Sequence, residues 1–98
     1  MKNAYIAWEA YEEESCYLIH KMFVPADERG QGKGRQMLQD AIEEMRAEGK
    51  FDLIKLCADS EAADPNEPID LADLVEFYES EGFEIEHAGD VVTMEMAI

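Results

Sequence analysis

Short apolar runs near both ends of the chain, with helical periodicity between them, predict the order β-β-α-β-α-β-β. Tyr5, Ile6 and Trp8 mark residues 3–11 as a strand, and the turn-like 12–15 leads into an apolar run over 16–24, close enough to be its antiparallel hairpin partner. Met37, Leu38, Ala41, Ile42 and Met45 then recur at helical spacing, which predicts a helix over 31–48 with Gly49 as its C-cap. The apolar run at 51–58 follows closely enough to lie parallel to the strand before the helix, making a βαβ unit. After a loop over 59–68, Ile69 and Asp70 read as a hydrophobic staple and N-cap for a short helix with Leu71, Leu74, Val75 and Tyr78 on one face and Gly82 as its stop. Residues 83–87, a turn at 88–90 and 91–97 close the chain as a β-hairpin. The expected fold is α/β in the α+β sense: a mixed, mostly antiparallel sheet with one parallel crossover.

A length of 98 residues suits one domain over 1–98, and an apolar content of 47% favours folding despite a net charge of −16. No apolar run reaches the length of a membrane span, and the first residues lack the apolar stretch of a signal peptide, so a cytoplasmic protein without membrane contact is expected. Cys16 and Cys57 fall in strand-like runs, where two reduced, buried side chains are the simpler reading, and no metal site is expected. So negative a surface disfavours nucleic acid as a direct ligand and would attract a basic protein or a polyamine; a solvated acidic face that only aids solubility is the plainer alternative. Open strand edges fit a monomer or a homodimer.

The acidity makes the segment from Val24 to Arg35 stand out. Arg29, Lys33 and Arg35, with Lys21 nearby, are four of the eight basic residues, and Gly30, Gly32 and Gly34 alternate just where a β-branched strand gives way to an amphipathic helix. A helix start exposes unpaired N–H groups at the positive end of its dipole, and glycines let a phosphate approach the backbone. The spacing fits neither a Rossmann fingerprint nor a P-loop, because the glycines fall at 30, 32 and 34 and Lys33 is followed by Gly34 rather than Ser or Thr.

The run Arg29-Gly30-Gln31-Gly32-Lys33-Gly34 resembles the Arg/Gln-x-x-Gly-x-Gly/Ala signature of the GNAT family of N-acetyltransferases. The resemblance extends to the apolar strand ending in Val24 and to Phe77-Tyr78-Glu79-Ser80-Glu81-Gly82-Phe83, which is similar to the family's later Phe-Tyr-x-x-x-Gly-Phe helix. It departs at Leu71 and Leu74, where the second motif often has Asn and Ala, and only about one strand precedes the signature strand.

The resemblance implies acetyl transfer from acetyl-CoA to a primary amine. Residues Arg29, Gly30, Gln31, Gly32, Lys33 and Gly34 would cradle the coenzyme A pyrophosphate, Arg35 would add charge, and the backbone at Met22, Phe23 and Val24 would take the pantetheine arm. Tyr78 would protonate the departing sulfur, and His20, four residues before Val24, is the candidate base. Each has a plainer reading, Tyr78 as a core aromatic and His20 as a packed strand residue. With little chain to enclose a small amine, a lysine on a basic or nucleic-acid-binding protein is the expected acceptor. In length, charge and motif spacing the chain is similar to the type V anti-CRISPR acetyltransferases, which implies the same kind of acceptor. An inert acidic mimic of nucleic acid on this fold, and a polyamine acetyltransferase, are the alternatives.

Overall fold

The computed structural model describes residues 4–28, 30–58, 70–89 and 91–98. The strands and helices run β1 (Tyr5–Tyr11), β2 (Cys16–Phe23), α1 (Lys33–Glu48), β3 (Leu53–Ala58), α2 (Leu71–Ser80), β4 (Glu84–Ala88) and β5 (Val92–Ala97). They form one sheet in the order β1-β2-β3-β5-β4. Only β2 and β3 are parallel, joined through α1; the other neighbours are antiparallel. This is the expected mixed sheet with a single crossover.

Two boundaries differ from the sequence reading for local reasons. Helix α1 begins at Lys33 rather than residue 31, because Gly30 and Gly32 both sit at φ 79°, a left-handed conformation no α-helix can include. Strand β3 begins at Leu53, since Phe51 turns its ring edge-on to Tyr17, with centroids 5.6 Å apart. Asp70 caps α2 as expected, its Oδ1 accepting from the Ala72 N–H at 2.9 Å. The staple at Ile69 and the loop over 59–68 lie outside the described residues.

Period-two alternation sends Tyr17 and Ile19 of β2, Ile54, Leu56 and Ala58 of β3, and Val92 and Met94 of β5 to the face that carries both helices. There they meet Leu38, Ala41, Ile42 and Met45 of α1 and Leu74 and Tyr78 of α2. Burying a side chain such as Leu38 or Met45 contributes about 1.5–3 kcal/mol, so this one layer supplies most of the apolar driving force. The odd positions of β3 face the other way. Cys57 is therefore exposed, contrary to the expectation of two buried thiols, whereas Cys16 is fully buried.

Tyr17 anchors the far end of α1. Its fully buried ring packs edge-on against Trp8 as well as Phe51, while its hydroxyl donates to Glu48 Oε1 at 3.2 Å and accepts from the Lys50 N–H at 3.0 Å. Tyr17→Phe keeps the ring and strands the Lys50 N–H, so it is expected to lower unfolding free energy by about 1–2 kcal/mol, read as a shifted urea midpoint at unchanged slope.

Candidate functional site

The glycine loop leaves α1 with an uncapped start. Gly32 is the N-cap and offers no side chain, so among the described residues the N–H groups of the first turn have no side-chain acceptor. A Cβ placed on Gly30 or Gly32 would meet nothing within 4 Å, so the backbone faces open space. Gly34 serves a different purpose. A Cβ there would lie 3.3 Å from Val24 Cγ2 and 3.7 Å from Met22 Cε, so the missing side chain is what lets the helix start lie against the end of β2. Between these parts opens a cleft of about 690 Å³ lined by Met22, Val24, Glu28, Gly30, Gly32, Lys33, Gly34 and Arg35, and by Asp73, Leu74 and Phe77 of α2.

The strands beside the cleft diverge. The β2–β3 ladder holds only the pairs Tyr17↔Ile54, Leu18↔Lys55 and Ile19↔Leu56, although β2 runs on to Phe23 and β3 to Ala58. Beyond Ile19 the two strands part, with no further pair between them among the described residues. At the same place β1 slips past β2: Trp8 pairs with Ile19 and Ala7 with Lys21, which leaves His20 as a bulged residue with no partner across β1. Its imidazole lies on the sheet face away from the helices, with Nε2 3.1 Å from Glu9 Oε1.

The remaining candidate residues divide between the cleft and its surroundings. Met22 and Val24 line the cleft, while Phe23 points to the opposite face, where its buried ring meets Tyr5 at 5.8 Å; only its backbone can serve the gap. The Gln31 amide turns back to donate to the Asp27 carbonyl at 3.2 Å. Lys33 is ion-paired with Glu28. The Arg35 Nε forms an ion pair with Glu81 Oε2 at 3.0 Å, and Glu81, its side chain only 8% exposed, accepts from the Gln39 amide at 3.1 Å. Both cations at the cleft are thus held by carboxylates, which tempers the positive spot expected from sequence. Arg29 lies outside the described residues.

Tyr78 stands one turn beyond Leu74, buried between Phe77 and Phe83 with ring centroids 5.3 and 5.7 Å away. Among the described residues its hydroxyl has no hydrogen-bond partner, and burial pushes the phenol up to about 12. It therefore stays protonated at neutral pH, the state required of a proton donor. Phe77, not Tyr78, lines the cleft. Sequence reasoning took Phe77 only as part of the Phe-Tyr motif and passed over Asp73, whose four-residue separation from it on α2 was the available signal, and gave no role to Glu9 and Glu81, whose partners are too distant in sequence to betray them.

The glycine-led start of α1 thus lies beside the end of β2, where the parallel pair of strands parts company. The chain belongs to the acetyltransferase (GNAT) domain family, whose model matches residues 3–85. No curated protein matches its sequence. Among solved structures it is similar to the PaiA N-acetyltransferase of Thermoplasma acidophilum in complex with coenzyme A, at 15% identity and a TM-score of 0.74, with 98% of this chain and 54% of that one covered. It is also similar to an acetyltransferase of the GNAT family from Staphylococcus aureus Mu50, at 17% identity and a TM-score of 0.72, covering 96% and 58%. The NatC complex bound to Gag peptide and CoA matches at 17% identity and a TM-score of 0.70, covering 97% and 59%. The chain thus spans little more than half the length of these structures, and at such identities the likeness is one of fold.

The Tyr78 environment sets a pH dependence. A phenol ionises near 10 in the unfolded chain but near 12 here, so its contribution to stability is fully present below pH 10 and is lost as pH rises toward 12. Unfolding free energy is expected to fall by up to about 1.4 kcal/mol per pH unit across that window, and Tyr78→Phe should remove this part of the slope in urea titrations at pH 9 and 11.

Proposed function

We propose that the chain transfers acetyl from acetyl-CoA to a primary amine, and that its acceptor is a lysine on a basic protein. The observation that carries this reading is the meeting, in one cleft, of the uncapped start of α1 at Gly32 with Met22 and Val24, which lie on β2 and just past it, beyond its last pair with β3. Phosphate oxygens suit the first, because the N–H groups there have no side-chain cap among the described residues and sit at the positive end of a 16-residue helix. An extended amide-bearing arm suits the second, since a strand edge offers the hydrogen bonds that another strand would otherwise take.

In this reading the Gly30–Gly34 backbone binds the pyrophosphate, Met22 and Val24 flank the arm, and the Tyr78 hydroxyl gives a proton to the departing sulfur. Bound acetyl-CoA supplies the activated acyl group. The protein's share is to orient it, keep water away with Leu74 and Phe77, and direct protons. The lysine acceptor is supported by the net charge of −16, which draws basic surfaces in and weakens with salt, and by a fold neighbour, the NatC complex, that holds a peptide.

A second reading, an inert acidic inhibitor on the same fold, is favoured by the pairing of Lys33 with Glu28 and Arg35 with Glu81. Calorimetry separates the two. Acetyl-CoA should bind saturably in the micromolar range, dephospho-CoA more weakly, and Gly32→Glu should abolish binding by placing a carboxylate at the helix start. The acceptor is sought by mass spectrometry for new acetyl-lysines among basic proteins. Tyr78→Phe should lower kcat on the order of 10²-fold with coenzyme affinity unchanged. No binding at millimolar coenzyme, or inhibition of a basic partner that survives Gly32→Glu and is lost when surface carboxylates are neutralised, would leave the inert reading standing.

A further inference from the structure

The pair Glu9–His20 lies where two irregularities of the sheet coincide. The β2–β3 ladder ends at Ile19 and the register with β1 slips at Ala7 and Trp8, so His20 is the first residue of β2 beyond the ladder and the one residue of the bulge. Bulges re-aim a side chain, and this one carries the imidazole onto the same face as Glu9. Trp8 and Ala10 pack against the core, so the intervening Glu9 faces away from the helices. Both side chains are about half exposed, at 49% and 54%.

Resting on the acetyltransferase reading, we propose that Glu9 is the positioning residue for His20: its carboxylate accepts from Nε2–H and so fixes the tautomer whose Nδ1 takes the proton of the acceptor amine. Of the two ring nitrogens it is Nε2 that lies 3.1 Å from the carboxylate, and a neutral imidazole carries one N–H, so placing that N–H toward Glu9 leaves the lone pair on Nδ1. The protons then balance. The acceptor ammonium loses one proton to Nδ1, and its freed lone pair forms the C–N bond at the thioester carbonyl. As the C–S bond breaks, sulfur leaves with its electron pair and takes the Tyr78 hydroxyl proton, and the second proton lost by nitrogen restores the phenol. A half-exposed imidazole can pass its proton to water between turnovers, which a buried one cannot.

The test combines kinetics with nitrogen NMR on the whole chain, using acetyl-CoA and a tetralysine peptide as probes. Glu9→Ala is expected to lower kcat about tenfold with KM for acetyl-CoA unchanged, and Glu9→Gln, whose amide oxygen also accepts from Nε2–H, should restore most of it. In a His20→Gln background Glu9→Ala should have no further effect. The wild-type His20 resonances should report the Nε2–H tautomer, with Nε2 shifting in Glu9→Ala. An Nδ1–H tautomer, an unchanged kcat in Glu9→Ala, or equal effects of Glu9→Ala with and without His20 would overturn the assignment and leave the acetyltransferase reading intact. Wild-type protein that acetylates no peptide would overturn both.

Discussion

The site depends on a parallel ladder that stops after three residue pairs. Were β2 and β3 to stay paired to their ends, the edge groups beyond Ile19 and Leu56 would be consumed within the sheet and no gap would open beside the cleft. Two features hold the strands apart without loosening the fold. β2 stays paired with β1 through Phe23, apart from the bulged His20, and β3 stays paired with β5 through Ala58, so each diverging segment keeps its other edge in the sheet. The gap therefore costs one edge per strand, the least a sheet can give up while opening from within.

The second constraint is steric. The start of α1 can reach the end of β2 only because Gly34 has no side chain against Val24 and Met22. The three glycines of the loop thus do separate jobs. Gly30 and Gly32 supply the left-handed turns that re-aim the chain and leave the helix start bare, and Gly34 supplies the approach.

Much of this was legible in the sequence because it is local. The helical spacing of Leu38, Ala41, Ile42 and Met45, the cap at Asp70 and the stop at Gly49 each depend on neighbours within a turn or two, and element order followed from them. The parallel crossover was legible because one helix between two apolar runs leaves little choice. What local pattern does not encode is pairing across the sheet and between helices. The slip that frees His20, the Glu9 beside it, the seat of Arg35 on Glu81 and the outward turn of Cys57 are settled by register and packing. Phe23 shows the same limit: its apolar character suits either face, and only the register after the bulge sends it away from the cleft.

The bond from Arg35 to Glu81 joins the helix start to the end of α2, one turn from Tyr78. An anion that draws the guanidinium toward itself must compete with a carboxylate that is almost wholly shielded from water, and among the described residues Glu81 then keeps the Gln39 amide. Binding of such an anion at the start of α1 and the seating of α2 would therefore be linked quantities. Whatever free energy the ligand gives up in loosening α2, a loosened α2 returns as tighter ligand binding, by thermodynamic reciprocity.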